Sequence, residues 1–445
     1  MSGNSKNLWS QNASLEGGVL KLSGISAAQL AKDFGTPSFF LDEDAFRSRS
    51  LAWDNGLRNQ FGDNAGTIYY AAKSFICTAV AQWIADIGIG IDVCTGGELA
   101  VAIAGGIHPS KIEVHGNNKS VSEIDRAVAL GVKTIVMDSL FEIERVAAAA
   151  KKHGVRQGVM LRLTPGIEAH THEKISTAHE DVKFGFSIAS GAAWSALEAV
   201  TQHPELDLRG VHCHIGSQIF GSEAHEIATD RLMGFMAKYR DSYGAQLPEL
   251  DLGGGFGIAY IDGEETVEPN DVLPAIHAAV LAACKKYNLA MPIVSLEPGR
   301  NIVGPTMFTL YQVGTVKDVV LEDKSIRKYV SVDGGMSDNA RTALYDAEYT
   351  AIIAQRSSQA PSVLSRLVGK HCETGDIIIR DIQLPSDIAP GDLVATPATG
   401  AYGRSMASNY NHVPKPPVIA VRDGKARVIV RRENEADLLA LDVKE

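Results

Sequence analysis

The chain has 445 residues, 45% hydrophobic and 21% charged, and its 42 basic against 53 acidic residues leave a formal charge of −11. That balance excludes global disorder and, with no run of Lys or Arg, argues against a nucleic-acid groove. The five cysteines, Cys77, Cys94, Cys213, Cys284 and Cys372, form no C-x-x-C pair and leave an odd count, which excludes a secreted disulfide framework.

Residues 1–11 are polar, without the apolar segment of a secretory signal. No run of about 18 apolar residues could span a membrane. A cytoplasmic enzyme is expected. Residues 19–22 read as a strand, 26–34 as a helix capped by Ser26, and 38–41 as a short apolar run. A rhythm begins at residue 67. Strands at 67–72, 90–94, 111–115 and 134–137 recur about every 22 residues, followed by helical stretches at 78–85, 97–104, 122–130 and 141–153. A strand at 158–163 precedes a long polar insertion. Helix 190–201, strand 208–214, helix 224–243, strand 249–252, helix 271–287 and strand 293–297 complete the series.

Eight strands alternating with helices over roughly 230 residues match an α/β chain folded as a closed (β/α)8 barrel. An open doubly wound sheet is the rival. Beyond residue 309 the chain reads as strands at 310–319, 327–332, 377–380, 393–396, 418–421 and 426–430, separated by turns such as Asp423-Gly424. Residues 362–368 read as a helix. The expected domains are a barrel over 45–310 and a mainly β domain over 311–445 that residues 1–44 join.

Reactive groups of such barrels gather at the C-terminal ends of the strands. In order these ends carry Lys73, Asp92, His115, Asp138, Arg162, His214, Asp251 and Glu297. Lys73 shares a face with Tyr69 and Ala71 by strand alternation, and is either a Schiff-base former or a lysine reaching for solvent. Asp251-Leu-Gly-Gly-Gly-Phe-Gly257 allows backbone N–H groups to converge on an anion, or makes a tight turn. Its spacing does not fit a dinucleotide fingerprint. Glu297-Pro-Gly-Arg300 ends the eighth strand. An inward Glu297 needs a partner: a pyridinium nitrogen, or Arg300 itself. His212 and His214 face one way, two residues apart. With His170, His172 and His179 they suggest a metal only if further ligands join; His214 stacked on a planar cofactor is the other reading, with no metal expected. Ser217 could donate to a phosphate. In the second domain Arg341 and Tyr345 stand one helical turn apart.

The matching segments are Tyr70-Ala-Ala-Lys73, His214-Ile-Gly-Ser-Gln218, Gly253-Gly-Gly-Phe-Gly257, Glu297-Pro-Gly-Arg300, Arg341 to Tyr345, Cys372-Glu-Thr-Gly-Asp376, and Ala401-Tyr402 with Met406-Ala-Ser-Asn-Tyr410. In this order they resemble the diaminopimelate decarboxylases, of the alanine-racemase-like, fold type III class of pyridoxal-phosphate enzymes. The resemblance implies a barrel plus a β-sandwich or β-barrel domain to which the N-terminal segment contributes. It implies pyridoxal 5'-phosphate on Lys73, with Asp92, His214, Ser217, Gly255, Glu297, Gly299, Arg300 and Tyr402 around it. His214 would lie over the ring and Glu297 at its nitrogen. Arg300, Arg341, Tyr345, Glu373 and Tyr402 would bind substrate. Lys73, His214 and Cys372 would be catalytic, with Cys372 and Glu373 lent to the partner's site in a head-to-tail homodimer. The implied reaction is decarboxylation of meso-2,6-diaminopimelate to L-lysine, last in lysine biosynthesis. Ser74 and Phe75 depart from the family's usual alanine and asparagine, and Thr374 from its serine.

Three alternatives have distinct marks. A decarboxylase of ornithine or arginine would lack a clamp for a distal carboxylate. A racemase of the same cofactor class would release no carbon dioxide. An inactive regulatory protein on this scaffold would have lost Lys73 or its partners.

Overall fold

The computed structural model describes residues 8–166 and 183–443. The reading of residues 1–7 as a polar start, and His170, His172 and His179, lie outside the described residues. Two compact units emerge. One runs Arg49–Gly257 and Val267–Asn301; the other takes the residues up to Ser48, Ile258–Thr266 and those from Ile302 onward.

The first unit is built on eight parallel strands: β1 (Ala65–Ala71), β2 (Gly90–Val93), β3 (Ile112–Val114), β4 (Thr134–Met137), β5 (Gln157–Thr164), β6 (Leu206–His212), β7 (Glu249–Asp251) and β8 (Ile293–Leu296). β8 returns to β1 through Val294↔Ala65 and Leu296↔Ile68. The ring is therefore closed, and the open sheet is excluded. Strands covered on both faces read as continuous apolar runs rather than alternating ones; β2 and β4 are buried at every position. Local signals set the helix limits. Ser120 and Glu123 form a reciprocal cap that starts the helix Val121–Leu130, and Gly131 in the left-handed region ends it.

The helix Glu43–Phe61 is absent from the sequence expectation. Its buried apolar side chains, Ala45, Phe46, Trp53, Leu57 and Phe61, recur at helical spacing, but Arg47, Arg49, Asp54 and Arg58 between them mask the stripe. What fixes it is long-range: Trp53 Nε1 and Arg49 Nη2 donate to Asn301 Oδ1 at 2.9 and 2.8 Å.

The second unit is mainly β. Its spine is the strand Met307–Val320. The first half pairs with Ser38–Asp42 and Leu393–Thr396, the second half with Ile326–Val332. Ser38–Asp42 also pairs with Val418–Arg422, so the N-terminal segment is an interior strand of this sheet. The expected helix at 362–368 is instead the strand Ser362–Val368, parallel to Ile326–Val332 and antiparallel to Ile377–Pro385. Ser365 and Leu367 are both buried, the period of two that a half-covered strand requires. The loop carrying Cys372 therefore joins two paired strands.

Candidate active site

The chain leaves the sheet at Ala71, earlier than expected. Ser74 Oγ donates to the Ala71 carbonyl at 2.7 Å, and Tyr70 Oη donates to the Phe75 carbonyl at 2.6 Å. These bonds fold Ala72–Ser74 into a 3-10 turn that carries Lys73. Strand alternation thus stops short of the lysine, and the turn presents it. Of the two departures from the family pattern, Ser74 supplies a side-chain donor of this turn, and Phe75 takes part through its main-chain carbonyl alone. The Lys73 ammonium bears on Asp92, Cys94, Glu98 and His214.

Asp92 is 1% exposed, and neither carboxylate oxygen has a hydrogen-bond donor. Burial, reinforced by Glu297, pushes its pKa up to about 7. Glu297 is also buried, with Oε1 lying 3.0 Å from His115 Nε2 and 3.1 Å from His212 Nε2. Burial alone would raise this carboxyl, yet the two histidines hold it well below the usual carboxylate range. For His115, burial is outweighed by Glu297, Glu113 and Asp92, which bring its pKa up to about 10. For His212, burial wins and the value falls to about 4. The rings meet edge to face with centroids 4.9 Å apart. Two charges at that distance would repel by about 3 kcal/mol at an effective dielectric of 20. One positive charge for the pair is the favoured state. His214 is driven well below its ordinary range by burial, then by Lys73 and Arg162. Its Nδ1 accepts from the Gly254 N–H at 3.4 Å.

The loops after β6 and β7 are joined as one. The Ile219 N–H donates to the Gly255 carbonyl and the Gly257 N–H to the Ile219 carbonyl, each at 2.9 Å. Gly255 has φ +100°, and a Cβ there would lie 2.6 Å from the Gly216 carbonyl oxygen. No other residue fits without opening the loop. Ser217 Oγ accepts from Arg300 Nη2 at 2.9 Å and from Nε at 3.2 Å. The next residue, Asn301, is pinned by donating to the carbonyls of Gly257 and Val267 at 3.1 and 2.7 Å. Gly299 lets the loop after β8 pass the end of β1, where a Cβ would lie 2.6 Å from that of Ala71. Arg162 stands 3.9 Å from Asp138 and over the ring of Phe184. Asp251 turns back to accept from the Gly253 N–H at 2.7 Å. Burial, Glu297 and Glu113 raise its pKa well above the ordinary value.

His212 and His214 do not converge as a pair. Among the described residues the converging groups are His115–His212–Glu297 and Glu113–Asp251–Glu297. Sequence reasoning placed His115 at a strand end without its partner and missed Glu113. The available signal was the spacing of Glu113, on β3, and His115, just past its end, two residues apart in strand alternation.

In the β unit, Arg341 is buried. It donates from Nη1 to Tyr349 Oη at 2.6 Å, and its guanidinium lies 4.2 Å from the centre of the Tyr260 ring. Tyr345 ends the same short helix, Arg341–Tyr345, half-buried. Tyr402, at φ +58°, is close enough to bear on the Arg341 charge. Cys372 is exposed, its N–H donating to Asn411 Oδ1 at 3.1 Å, and Glu373 meets Tyr410 Oη at 3.5 Å. Asp376 fixes this loop by accepting from the His371 and Met336 N–H groups at 2.7 and 2.6 Å.

Pyridoxal phosphate fits the barrel rim on two observations: a buried Asp92 carboxylate without a donor beside a lysine, and a glycine cradle closed to any Cβ. A parallel barrel with that lysine after its first strand, that cradle after the seventh and an ionised buried carboxylate after the eighth is a barrel-type pyridoxal-phosphate enzyme. A model of the family described as pyridoxal-dependent decarboxylase, pyridoxal binding domain, matches residues 44–304. The diaminopimelate decarboxylase of Mycobacterium bovis is 50% identical over 443 residues, 98% of each chain. That of Mycobacterium leprae is 47% identical over 443 residues, 98% of this chain and 93% of its own. The diaminopimelate decarboxylase of M. jannaschii, solved in complex with L-lysine, matches with a TM-score of 0.89 at 29% identity over 98% of each chain. The chain belongs to the diaminopimelate decarboxylases, a family of pyridoxal-phosphate-dependent carboxy-lyases.

Proposed function

We propose that the chain converts meso-2,6-diaminopimelate to L-lysine and carbon dioxide, with the barrel unit holding the cofactor and the β unit supplying groups for the substrate. Bound pyridoxal phosphate supplies the electron sink for the pair left when the Cα–carboxylate bond breaks. Lys73 would hold the cofactor through its amine, with Asp92 close by. Glu297 would accept from the ring nitrogen, and His214 would lie against the ring. The joined loops with Gly255, Ser217 and Gly299 would hold the phosphate. Arg300, Arg341, Tyr345 and Tyr402 bind substrate. Cys372 delivers a proton to Cα, and Glu373 meets the distal ammonium, both at the site of a second copy in a head-to-tail homodimer. The exposure of Cys372 on a loop tied down by Asp376 supports that loan. Among the described residues no helix is long and apolar enough to cross a membrane; a cytoplasmic setting is part of this proposal.

The observation that carries the reading is Glu297, buried at the end of β8 with its Oε1 3.0 Å from His115 and 3.1 Å from His212, which favour its ionised form. A carboxylate so placed accepts from, and keeps protonated, a ring nitrogen. The test is carbon dioxide release from a panel of meso-, LL- and DD-diaminopimelate, lysine, ornithine and arginine. The meso form should exceed the others by on the order of 10²-fold or more in kcat/KM, because a paired distal group left unmatched is costly. Preference for ornithine or arginine would replace the substrate assignment.

A further inference from the structure

We propose that His115 is a positioning residue for this reaction, acting through Glu297. It holds the carboxylate ionised for the cofactor's ring nitrogen, while His212 packs against the same oxygen as a neutral ring. This rests on the reading that Glu297 meets that nitrogen.

The geometry argues for it. Glu297 is enclosed with like charges: its carboxylate and those of Glu113 and Asp251 have oxygens within 4.8 Å of one another, all buried. Crowding of that kind drives a carboxyl toward its neutral form, and it raises Asp251 well above the usual carboxylate range. A neutral Glu297 would have a proton to donate and no charge to offer a protonated ring. A cation against it reverses the balance. Of the two nearby rings, His115 is the one surrounded by acids. Its Nε2 lies 3.0 Å from Glu297 and 3.9 Å from Glu113, and Asp92 also faces it. His212 meets Glu297 too, but it faces His115 and Arg162, both of which disfavour a second positive charge. Other titratable groups around the cluster are Lys73 and Glu98, which bear on Asp92, His214 and Cys213, which bear on Glu297, and Tyr69, which bears on Glu113 and Asp251.

The structure thus gives each histidine a distinct task. His115 supplies charge, and His212 supplies shape. Replacing His115 by glutamine keeps a donor and removes the charge. Glu297 then titrates upward, and the fraction ionised at neutral pH falls.

The test has a spectroscopic arm and a kinetic arm. Ring-15N NMR of the full-length wild-type protein should show one of the 13 histidines still doubly protonated near pH 9, with His212 neutral near pH 6. All rings neutral by pH 8 would overturn the proposal, whether or not any variant folds. Kinetically, His115→Gln should lose on the order of 10²-fold in kcat, with KM for diaminopimelate within about twofold. Its kcat should recover partly as pH rises, because Glu297 regains its charge. A merely structural role would lower activity at every pH and leave no such recovery. Glu297→Gln, measured alongside, separates two failures. An unimpaired Glu297→Gln enzyme removes the reading of Glu297 itself. An impaired Glu297→Gln beside an unimpaired His115→Gln overturns the role of His115 alone. The double variant should be no slower than Glu297→Gln, since both act through one carboxylate.

Discussion

Replacing Lys73 by alanine is expected to lower kcat on the order of 10⁴-fold, the scale seen when a covalent group of a catalytic unit is removed. Two tasks are lost at once: the amine that carries the cofactor, and the amine that reclaims it when lysine departs. The fold should survive. Lys73 sits in a turn closed by Ser74 and Tyr70, bonds that alanine leaves in place. Unfolding free energy should therefore change by about 1 kcal/mol or less. The phosphate cradle, a separate part of the rim, should still take up the cofactor weakly. Steady-state kinetics and urea unfolding of the variant check both halves. A loss of less than tenfold in kcat would remove Lys73 from the reaction.

The second large effect concerns the loop between Ser362–Val368 and Ile377–Pro385. Cys372→Ala should lose roughly 10²- to 10⁴-fold in rate, the range for a positioned proton donor. Mixing it with Lys73→Ala under conditions that exchange subunits should restore activity. If sites are shared, each mixed dimer holds one site lacking both groups and one site lacking neither. Random exchange makes half the dimers mixed, so about a quarter of wild-type activity should return in a closed two-fold assembly. If Cys372 serves its own subunit, every site keeps one lesion and nothing returns. Exchange is confirmed independently by tagging one parent. No recovery with exchange confirmed would sink the shared-site model and leave the barrel assignments standing.

Much of the barrel was legible because its strands are short, wholly buried apolar runs at a steady spacing; 134–137 coincides with β4 to the residue. Sequence failed where a decision was made elsewhere in the chain. The helix Glu43–Phe61 is tied to Asn301, 248 residues from Trp53 and 252 from Arg49, accepting from both. The run at 362–368 is too short for periodicity to separate a helix from a strand; pairing with Ile326–Val332 and Ile377–Pro385 settles it. The site shows the same division. Lys73, the glycine loop and Glu297 could be read from type and order. The pairing of Glu297 with His115 could not, because it joins the ends of the third and eighth strands across a barrel that sequence does not fold. Nor could the turn at Ala72–Ser74, where a serine and a tyrosine side chain end the strand early.

The most direct measurement of the central claim, that Lys73 carries pyridoxal phosphate at the rim of this barrel, is reductive trapping on the purified wild-type protein. The protein should be yellow, borohydride should abolish the visible band, and a peptide map should place one pyridoxyl group per chain on Lys73. Label on any other lysine, or none on a protein that is active and yellow before reduction, would contradict it.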